Sequence, residues 1–400
     1  MWIESTIALR FLREGRAQTT LILIGIGVGV SVIVFIVALI TGLQGNIVDR
    51  TLGTQAHIKV EAPDEINRLA PLPAGTTRLV LETRRAQRLR SINNWQQVMG
   101  VLDQFPGVKA VSPVVSGPAF ARRGNAVESV ALVGMDPARY QRIIPLSEDI
   151  VAGRLTVGAG DAVIGRLLAD DLGLRVGDKF RLVADQGREA QVNIAGIFEL
   201  GVRELDQRYV YLDLKQTQSL LDLPGGVTVI DLTVNDIFTA QDVSRRIAAL
   251  TGLKAESWLD TNAQLVNALR SQSMSTAMIS FFVAVSVAFG IASVLSISVV
   301  QRTREIGILR AMGARQRQLL LVFLVQGAVL GLTGSAVGAF AGYGLVWVFN
   351  TFGPKLFYIP VAPTLVPMAM AIATITGTVA AAVPARRAAR LDPVVAIRHV

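Results

Sequence analysis

The chain has 400 residues, no cysteine and only two histidines, His57 and His399. Without cysteine there is no disulfide framework, thiolate metal site or cysteine nucleophile. Two histidines so far apart in the chain leave no basis for a histidine triad or metal cluster within it. Charge is scarce as well: 17% of residues are charged and 51% hydrophobic, a high apolar fraction for a soluble globular protein. The scarcity is concentrated. Segments 19–41, 275–300, 318–350 and 356–385 contain no Asp, Glu, Lys or Arg. Each can cross a hydrocarbon layer of roughly 30 Å, which takes about 20 helical residues. Spans without ionisable groups argue against a channel, a proton-coupled carrier or a polar tunnel. No G-x-x-x-x-G-K-[ST] occurs, so the chain has no Walker A loop. Gly158-Ala159-Gly160 fails as a dinucleotide loop, because Val163 replaces the third glycine and a strand, not a helix, follows. Asp170 and Asp171 are adjacent on a helical segment and do not face each other, as a catalytic pair must. No residue is assigned a catalytic role.

What charge there is sets an orientation. Arg10, Arg13 and Arg16 precede the first apolar segment. Arg302, Arg304, Arg310, Arg315 and Arg317 lie between the second and third, and Arg386, Arg387, Arg390 and Arg398 follow the fourth. The short connection between the third and fourth has only Lys355. The positive-inside rule therefore assigns both termini and the middle loop to the cytoplasm. Acidic and basic residues balance between 42 and 274, so the formal charge of +9 belongs to the membrane edges and marks topology, not a nucleic-acid surface.

The expected fold is a polytopic α-helical membrane protein with four transmembrane helices and a large mixed α/β extracytoplasmic domain between the first and second. Residues 1–18 read as an interfacial helix, with Trp2, Ile3, Ile7 and Phe11 at helical spacing and Arg10 and Arg13 in reach of lipid phosphates. The spans are 19–41, 275–300, 318–350 and 364–385. A coupling loop at 301–317, a short loop at 351–363 and a tail at 386–400 complete the membrane part. The first span is too long for a signal h-region and lacks an A-x-A-like site, so it reads as an uncleaved anchor. Gly25 and Gly29, four apart, and Gly334, Gly338 and Gly342, every fourth residue, form small-residue faces for close helix contact. They favour a second protomer somewhat over a contact within the chain.

Between 42 and 274 strands are expected at 56–60, 108–115, 130–133, 229–234 and 254–257, with helices at 94–105 and 240–250. An inserted subdomain at about 145–226 adds strands at 162–164, 179–183, 191–198 and 208–213 and helices at 166–172 and 214–221. Asp185-Gln186-Gly187-Arg188 supplies a hairpin turn. Segment 63–91, with Pro71, Pro73 and Gly75 followed by Arg84, Arg85, Arg88 and Arg90, reads as a long solvated loop, with a contact surface as the alternative. A polar helix at 260–272 is expected to run straight into the second span, coupling span and domain mechanically.

The middle loop reads Gln301-Arg302-Thr303-Arg304-Glu305-Ile306-Gly307-Ile308-Leu309-Arg310-Ala311-Met312-Gly313-Ala314. By itself it is a basic helical segment with Glu305 and Leu309 one turn apart, stopped by Gly313. It closely resembles the ATPase-docking loop of the FtsX/MacB/lipoprotein-releasing permease superfamily. The tail from Pro384-Ala385-Arg386-Arg387 to Asp392-Pro393-Val394-Val395-Ala396-Ile397-Arg398 resembles that superfamily's terminal signature. Gly42-Leu43-Gln44, Arg50-Thr51-Leu52-Gly53 and His57 resemble the post-helix segment of its lipoprotein-releasing (LolC/LolE) branch. Gly165-Arg166-Leu167-Leu168, Gly173-Leu174-Arg175-Val176-Gly177-Asp178, Gly196-Ile197-Phe198 and Tyr209-Val210-Tyr211 are similar to its inserted subdomain.

The resemblance implies a bacterial inner-membrane permease, not itself an enzyme, working with a cytoplasmic ABC ATPase dimer and a second permease copy or paralogue. ATP and magnesium would belong to the ATPase, and this chain would bind no cofactor. Arg302, Arg304, Glu305, Arg310 and Arg315 would make polar contacts with the ATPase. Ile306, Leu309 and Met312 would fill its groove, with Gly307 and Gly313 in the same docking segment. One paralogue of the branch carries a long hairpin that hooks a periplasmic chaperone, and here a tight turn around 185–188 stands in its place. Three functions follow: extraction of lipoproteins or lipids, export with an adaptor and outer-membrane channel, or signalling to a cell-wall hydrolase. Membrane lipids and a chaperone, adaptor or lipoprotein cargo are the matching partners. No nucleic-acid partner is expected.

Overall fold

A computed structural model describes residues 2–63, 89–184, 187–354 and 357–390. Most of the 63–91 excursion, the first half of the 185–188 turn, Lys355 and the tail beyond Arg390 lie outside the described residues. The helices in chain order are α1 (Trp2–Glu14), α2 (Arg16–Gly53), α3 (Trp95–Leu102), α4 (Pro137–Tyr140), α5 (Arg166–Asp171), α6 (Arg203–Arg208) and α7 (Leu214–Leu220). Then come α8 (Ala240–Thr251), α9 (Trp258–Thr261), α10 (Ala263–Gln301), α11 (Thr303–Ala311), α12 (Gln316–Phe352) and α13 (Leu365–Ala389). The strands are β1 (Ile58–Glu61), β2 (Val108–Arg123), β3 (Ala126–Met135), β4 (Ile150–Gly153) and β5 (Asp161–Gly165). β6 (Lys179–Ala184), β7 (Glu189–Phe198), β8 (Tyr209–Asp213), β9 (Val229–Val234) and β10 (Lys254–Ser257) follow. The chain divides into two units, one of residues 1–48 with 267–400 and one of residues 49–266.

In the first unit α2, α10, α12 and α13 are each long and apolar enough to cross a membrane. α2, α10 and α12, at 37 to 39 residues, run to about 55–58 Å at 1.5 Å per residue, well beyond the hydrocarbon layer. Ile22, Ile26, Val30, Val34 and Ala38 recur every fourth residue along α2 and are buried in one cluster with Leu330 and Val346 of α12 and Ile291 and Leu295 of α10. Glycine sets how close the helices come. A Cβ on Gly338 would lie 2.5 Å from the Gly27 carbonyl oxygen, and one on Gly334 2.8 Å from the Ile26 side chain. One on Gly342 would meet Val34 at 3.0 Å. This glycine face is therefore consumed inside the chain, by α2, and is not left for a second protomer. Of the expected small-residue pair on α2, only Gly29 makes a close helix contact. Gly25 faces open space, Gly29 meets Val287 of α10, and Gly27 is the glycine opposite α12. Helical phase explains this: residues 25 and 29 share a face, and 27 lies about 200° from 25. α12 and α13 approach through Gly327 and Gly331 against Gly377 and Ala373. The connection after α12 is pinned by Asn350, which donates to the Ile359 carbonyl at 3.1 Å and accepts its N–H at 3.0 Å.

The apolar stripe of α1 is likewise spent on protein. Ala8 and Phe11 are buried against Val322 of α12, with Ile7, Leu309 and Val325 packed round them. Arg10 pairs with Glu14 at 2.9 Å. The side chains of Trp2 and Ile3 lie outside the described residues.

The second unit is one continuous sheet, ordered β10-β1-β9-β2-β3-β8-β5-β7-β4, with β6 bridging β2 and β7. The 16-residue β2 is longer than the strand expected at 108–115 and makes this continuity possible. Its first half pairs with β9, Ala119–Arg122 with β6, and Val114–Arg123 with β3 across the turn at Gly124 (φ +59°). Segment 145–226 thus forms no separate sheet: its strands extend the first through β6 on β2 and β8 parallel to β3. β6 and β7 are antiparallel, with Ala184 donating to the Arg188 carbonyl at 2.8 Å, so the connection is short. On one side α3 packs on β2 and α8 beside β10. The other side holds a core of Val114, Val133, Met135, Tyr140, Leu146, Phe198 and Tyr211. His57 enters β1, and its Nδ1 accepts the Val234 N–H at 3.2 Å while burial lowers its pKa.

The polar helix expected at 260–272 begins differently. Ser257 and Asp260 form a capping box that starts the single turn α9, and Asn262 (φ −107°, ψ 35°) breaks the ladder. Only from Ala263 is the helix continuous through to Gln301.

Candidate functional site

The elbow between α10 and α12 is built by two backbone breaks. Arg302 leaves helical geometry at φ −106°, ψ 17°, and the Thr303 hydroxyl donates back to Val299 and Val300 carbonyls at 3.1 and 2.8 Å. α11 then runs nine residues, with Glu305 in its first turn and Arg310 in its last, the arrangement its dipole favours. Gly313 (φ +94°) ends it. The Gly313 N–H bonds to Arg310 O at 3.0 Å and the Ala314 N–H to Leu309 O at 3.1 Å, a Schellman closure. Glycine is required at 313 because other side chains rarely adopt that φ.

The helix sorts the candidate docking residues into two sets. Ile306 is fully buried among Val299, Leu319, Phe323, Ala385 and Ala388, and Gly307 is buried with it. Leu309 is half-buried and packs into two clusters, that one and the cluster of Ala8, Phe11 and Val322. Arg310 donates to the Ala389 carbonyl at 2.8 Å. Arg302 is 12% exposed and points at α1. It pairs with Glu14 at 3.0 Å, donates to the Phe11 carbonyl at 3.0 Å and lies 4.5 Å from the Phe11 ring centre. Arg10 and Arg302 together hold the Glu14 carboxyl below the usual range. Gln18 donates to Gln301 at 2.8 Å beside them. Ile306 therefore does not fill a groove on a partner: it is the elbow's own anchor, and Arg302 is an internal strut. The periodicity explains the split, since 303, 306, 307 and 310 share the inward face of a helix whose outward face carries 304, 305, 308 and 312. Arg304, Glu305, Ile308, Met312, Gly313 and Arg315 are exposed.

Reading the loop as a linear motif missed the role of Phe11, Glu14 and Gln18. The pairing of basic and acidic residues on either side of a span was a visible signal, but their juxtaposition is tertiary.

Residues 277–393, from α10 through the elbow to the tail, match the family described as FtsX-like permease C-terminal, and residues 19–250 match the MacB-like periplasmic core domain. The chain belongs to the FtsX/MacB-like superfamily of ABC transporter permeases. It is 26% identical over 435 residues to the lipoprotein-releasing system transmembrane protein LolC of Xylella fastidiosa 9a5c, covering 99% of both chains. It is 23% identical to LolC of Neisseria meningitidis serogroup B, again over 99% of both. The macrolide export ATP-binding/permease protein MacB of Azoarcus is 29% identical over 99% of this chain, which spans 59% of that protein. Among solved structures, the periplasmic region of MacB from Actinobacillus actinomycetemcomitans is similar over 55% of this chain and 95% of that one (TM-score 0.36, 14% identity). As a permease of this superfamily the chain is a multi-pass membrane protein, with the elbow in its FtsX-like portion and strands β1 to β9 in its MacB-like portion.

Proposed function

We propose that this permease works with an ABC ATPase dimer that docks on the exposed face of α11, and that the complex extracts lipoproteins or lipids from the outer leaflet of the inner membrane. The observation that carries the reading is the match along 99% of both chains to proteins of the lipoprotein-releasing system. The arginine-rich elbow supports a cytoplasmic location with both termini, and the lack of a Walker A loop in this sequence supports a partner that holds ATP and magnesium. Arg304, Glu305 and Arg315 supply polar contacts to the ATPase, with Ile308 and Met312 as the apolar ones. When the ATPase subunits close, the elbow moves as a body because Ile306 and Leu309 lock it to α12 and α13. α10 has no interruption between Gln301 and Ala263, so a displacement at one end is carried along a stiff rod. Cargo leaves sideways, in keeping with spans that carry no Asp, Glu, Lys, Arg or His. The short β6–β7 turn supports a reading in which chaperone capture falls to a second permease subunit with the longer hairpin, or cargo goes to a different acceptor.

The test is reconstitution of the native complex with its ATPase in proteoliposomes loaded with a triacylated lipoprotein. ATP-dependent transfer of the lipoprotein to a soluble acceptor is expected, and Glu305→Lys or Met312→Asp should abolish it while the permease still inserts. ATP hydrolysis with no lipoprotein transfer, or co-purification of an export adaptor instead, refutes the cargo assignment. Full transfer by both variants refutes the docking face.

A further inference from the structure

Within the α/β unit a cavity of about 520 Å³ opens on the sheet face formed by β1, β9 and β2. Its charged lining is Arg50, Lys59, Glu61 and Asp231, with Gln55 and Tyr209 beside them. Asp231 is only 7% exposed. Strand pairing puts Lys59 directly opposite it on one side and Ser112 on the other. Yet Asp231 Oδ1 has no hydrogen-bond partner, nor have the buried Gln55 Nε2 and Ser112 Oγ. Among the described residues none of the four charged side chains forms an ion pair. A nine-tenths buried carboxylate without a partner is costly. Two cations and two carboxylates left unpaired around one cavity are the complement of a ligand that carries both charges.

The arrangement narrows the ligand. A divalent cation would be repelled by Arg50 and Lys59 and would find only two carboxylates. A simple anion would leave Asp231 and Glu61 unanswered. Asp231 is an acceptor and calls for N–H donors, which a primary ammonium has and a quaternary one lacks. Arg50 is suited to a phosphate, which a guanidinium grips in bidentate fashion. It stands in the last turn of α2, two residues after the uncharged run that ends at Val48, on the helix that emerges from the first membrane span. Val114, Ile144 and Val229 supply an apolar wall, and the volume is that of an ordinary small-molecule site.

We propose that this cavity binds the phosphoethanolamine head group of a membrane lipid, the ammonium on Asp231 and Glu61 and the phosphate on Arg50 and Lys59. The site is independent of the lipoprotein reading and is assayed without the ATPase. Full-length permease, delipidated in detergent, is titrated by native mass spectrometry with phosphatidylethanolamine, phosphatidylcholine and phosphatidylglycerol, and with soluble glycerophosphoethanolamine. Phosphatidylethanolamine should bind at least tenfold more tightly than either other lipid, and Asp231→Asn and Arg50→Gln should each erase that preference. Arg50 is exposed on a helix end, so its variant reads the site without touching the buried carboxylate. Equal binding of the three lipids by the wild type, or an unchanged preference in Arg50→Gln, overturns the proposal. Glycerophosphoethanolamine binding as tightly as the lipid overturns the membrane source.

Discussion

Asp231 offers the sharpest physical test. Burial, opposed by Lys59 and reinforced by Glu61, pushes its pKa from the ordinary 3.8 to about 6. The folded state therefore holds this proton more tightly than the unfolded state does. Stability contributed by the neutral acid is fully present below about pH 4 and is lost as pH rises through about 6. At about 1.4 kcal/mol per pKa unit, the wild type is destabilised by about 3 kcal/mol at pH 7.5 relative to a chain with a neutral group there. Asp231→Asn keeps the shape and removes the titration. In delipidated full-length protein, hydrogen exchange of β1 and β9 should then be about a hundredfold slower in the variant than in the wild type at pH 7.5, after correction for intrinsic exchange. The two should be within a factor of a few at pH 4. A gap of the same size at both pH values, or a less protected variant at pH 7.5, would show that Asp231 is not a buried, unpaired carboxylate.

The helix contacts give further tests. Gly338→Val should lower the thermal stability of the detergent-solubilised protein by about 3 kcal/mol or more, since its Cβ meets the Gly27 carbonyl and overpacking alone costs about 1–3 kcal/mol. Gly25→Ala, facing open space, should leave the melting temperature unchanged or slightly raised. Ile306→Asp buries a charge in the elbow core and should cut the amount of folded permease in membranes severalfold. Glu305→Lys, on the outer face, should leave that amount unaltered and lose only ATPase coupling. Arg302→Gln removes the Glu14 pair and the Phe11 contacts and should speed proteolysis of α1 several-fold, as expected for a loss of about 1–2 kcal/mol.

Much of the architecture was legible because its signals are local. A membrane span declares itself by the absence of charge over about 20 residues, and β9 by a β-branched run bounded by turn residues. Gly313 was readable as a stop because one residue in the left-handed region suffices. The site was legible as a segment and not as a surface. The sequence of α11 names every residue of the elbow, but which of them face a partner depends on where α1, α12 and α13 stand. The same holds for the glycines: their spacing announces a close contact without saying with what.

What the amino-acid order determined by itself was the number of apolar segments long enough to cross a membrane and most of the strand and helix segments between the first and the second. Each depends on residues near one another in the chain. Tertiary structure decided that β2 is long enough to merge the inserted segment into one sheet, that Gly27 and not Gly25 meets α12, that Ile306 and Arg302 face inward, and that Asp231, Lys59, Glu61 and Arg50 surround one cavity. These choices turn on the phase of a helix or the register of a strand against a distant neighbour. Packing fixes both, and no local preference encodes either.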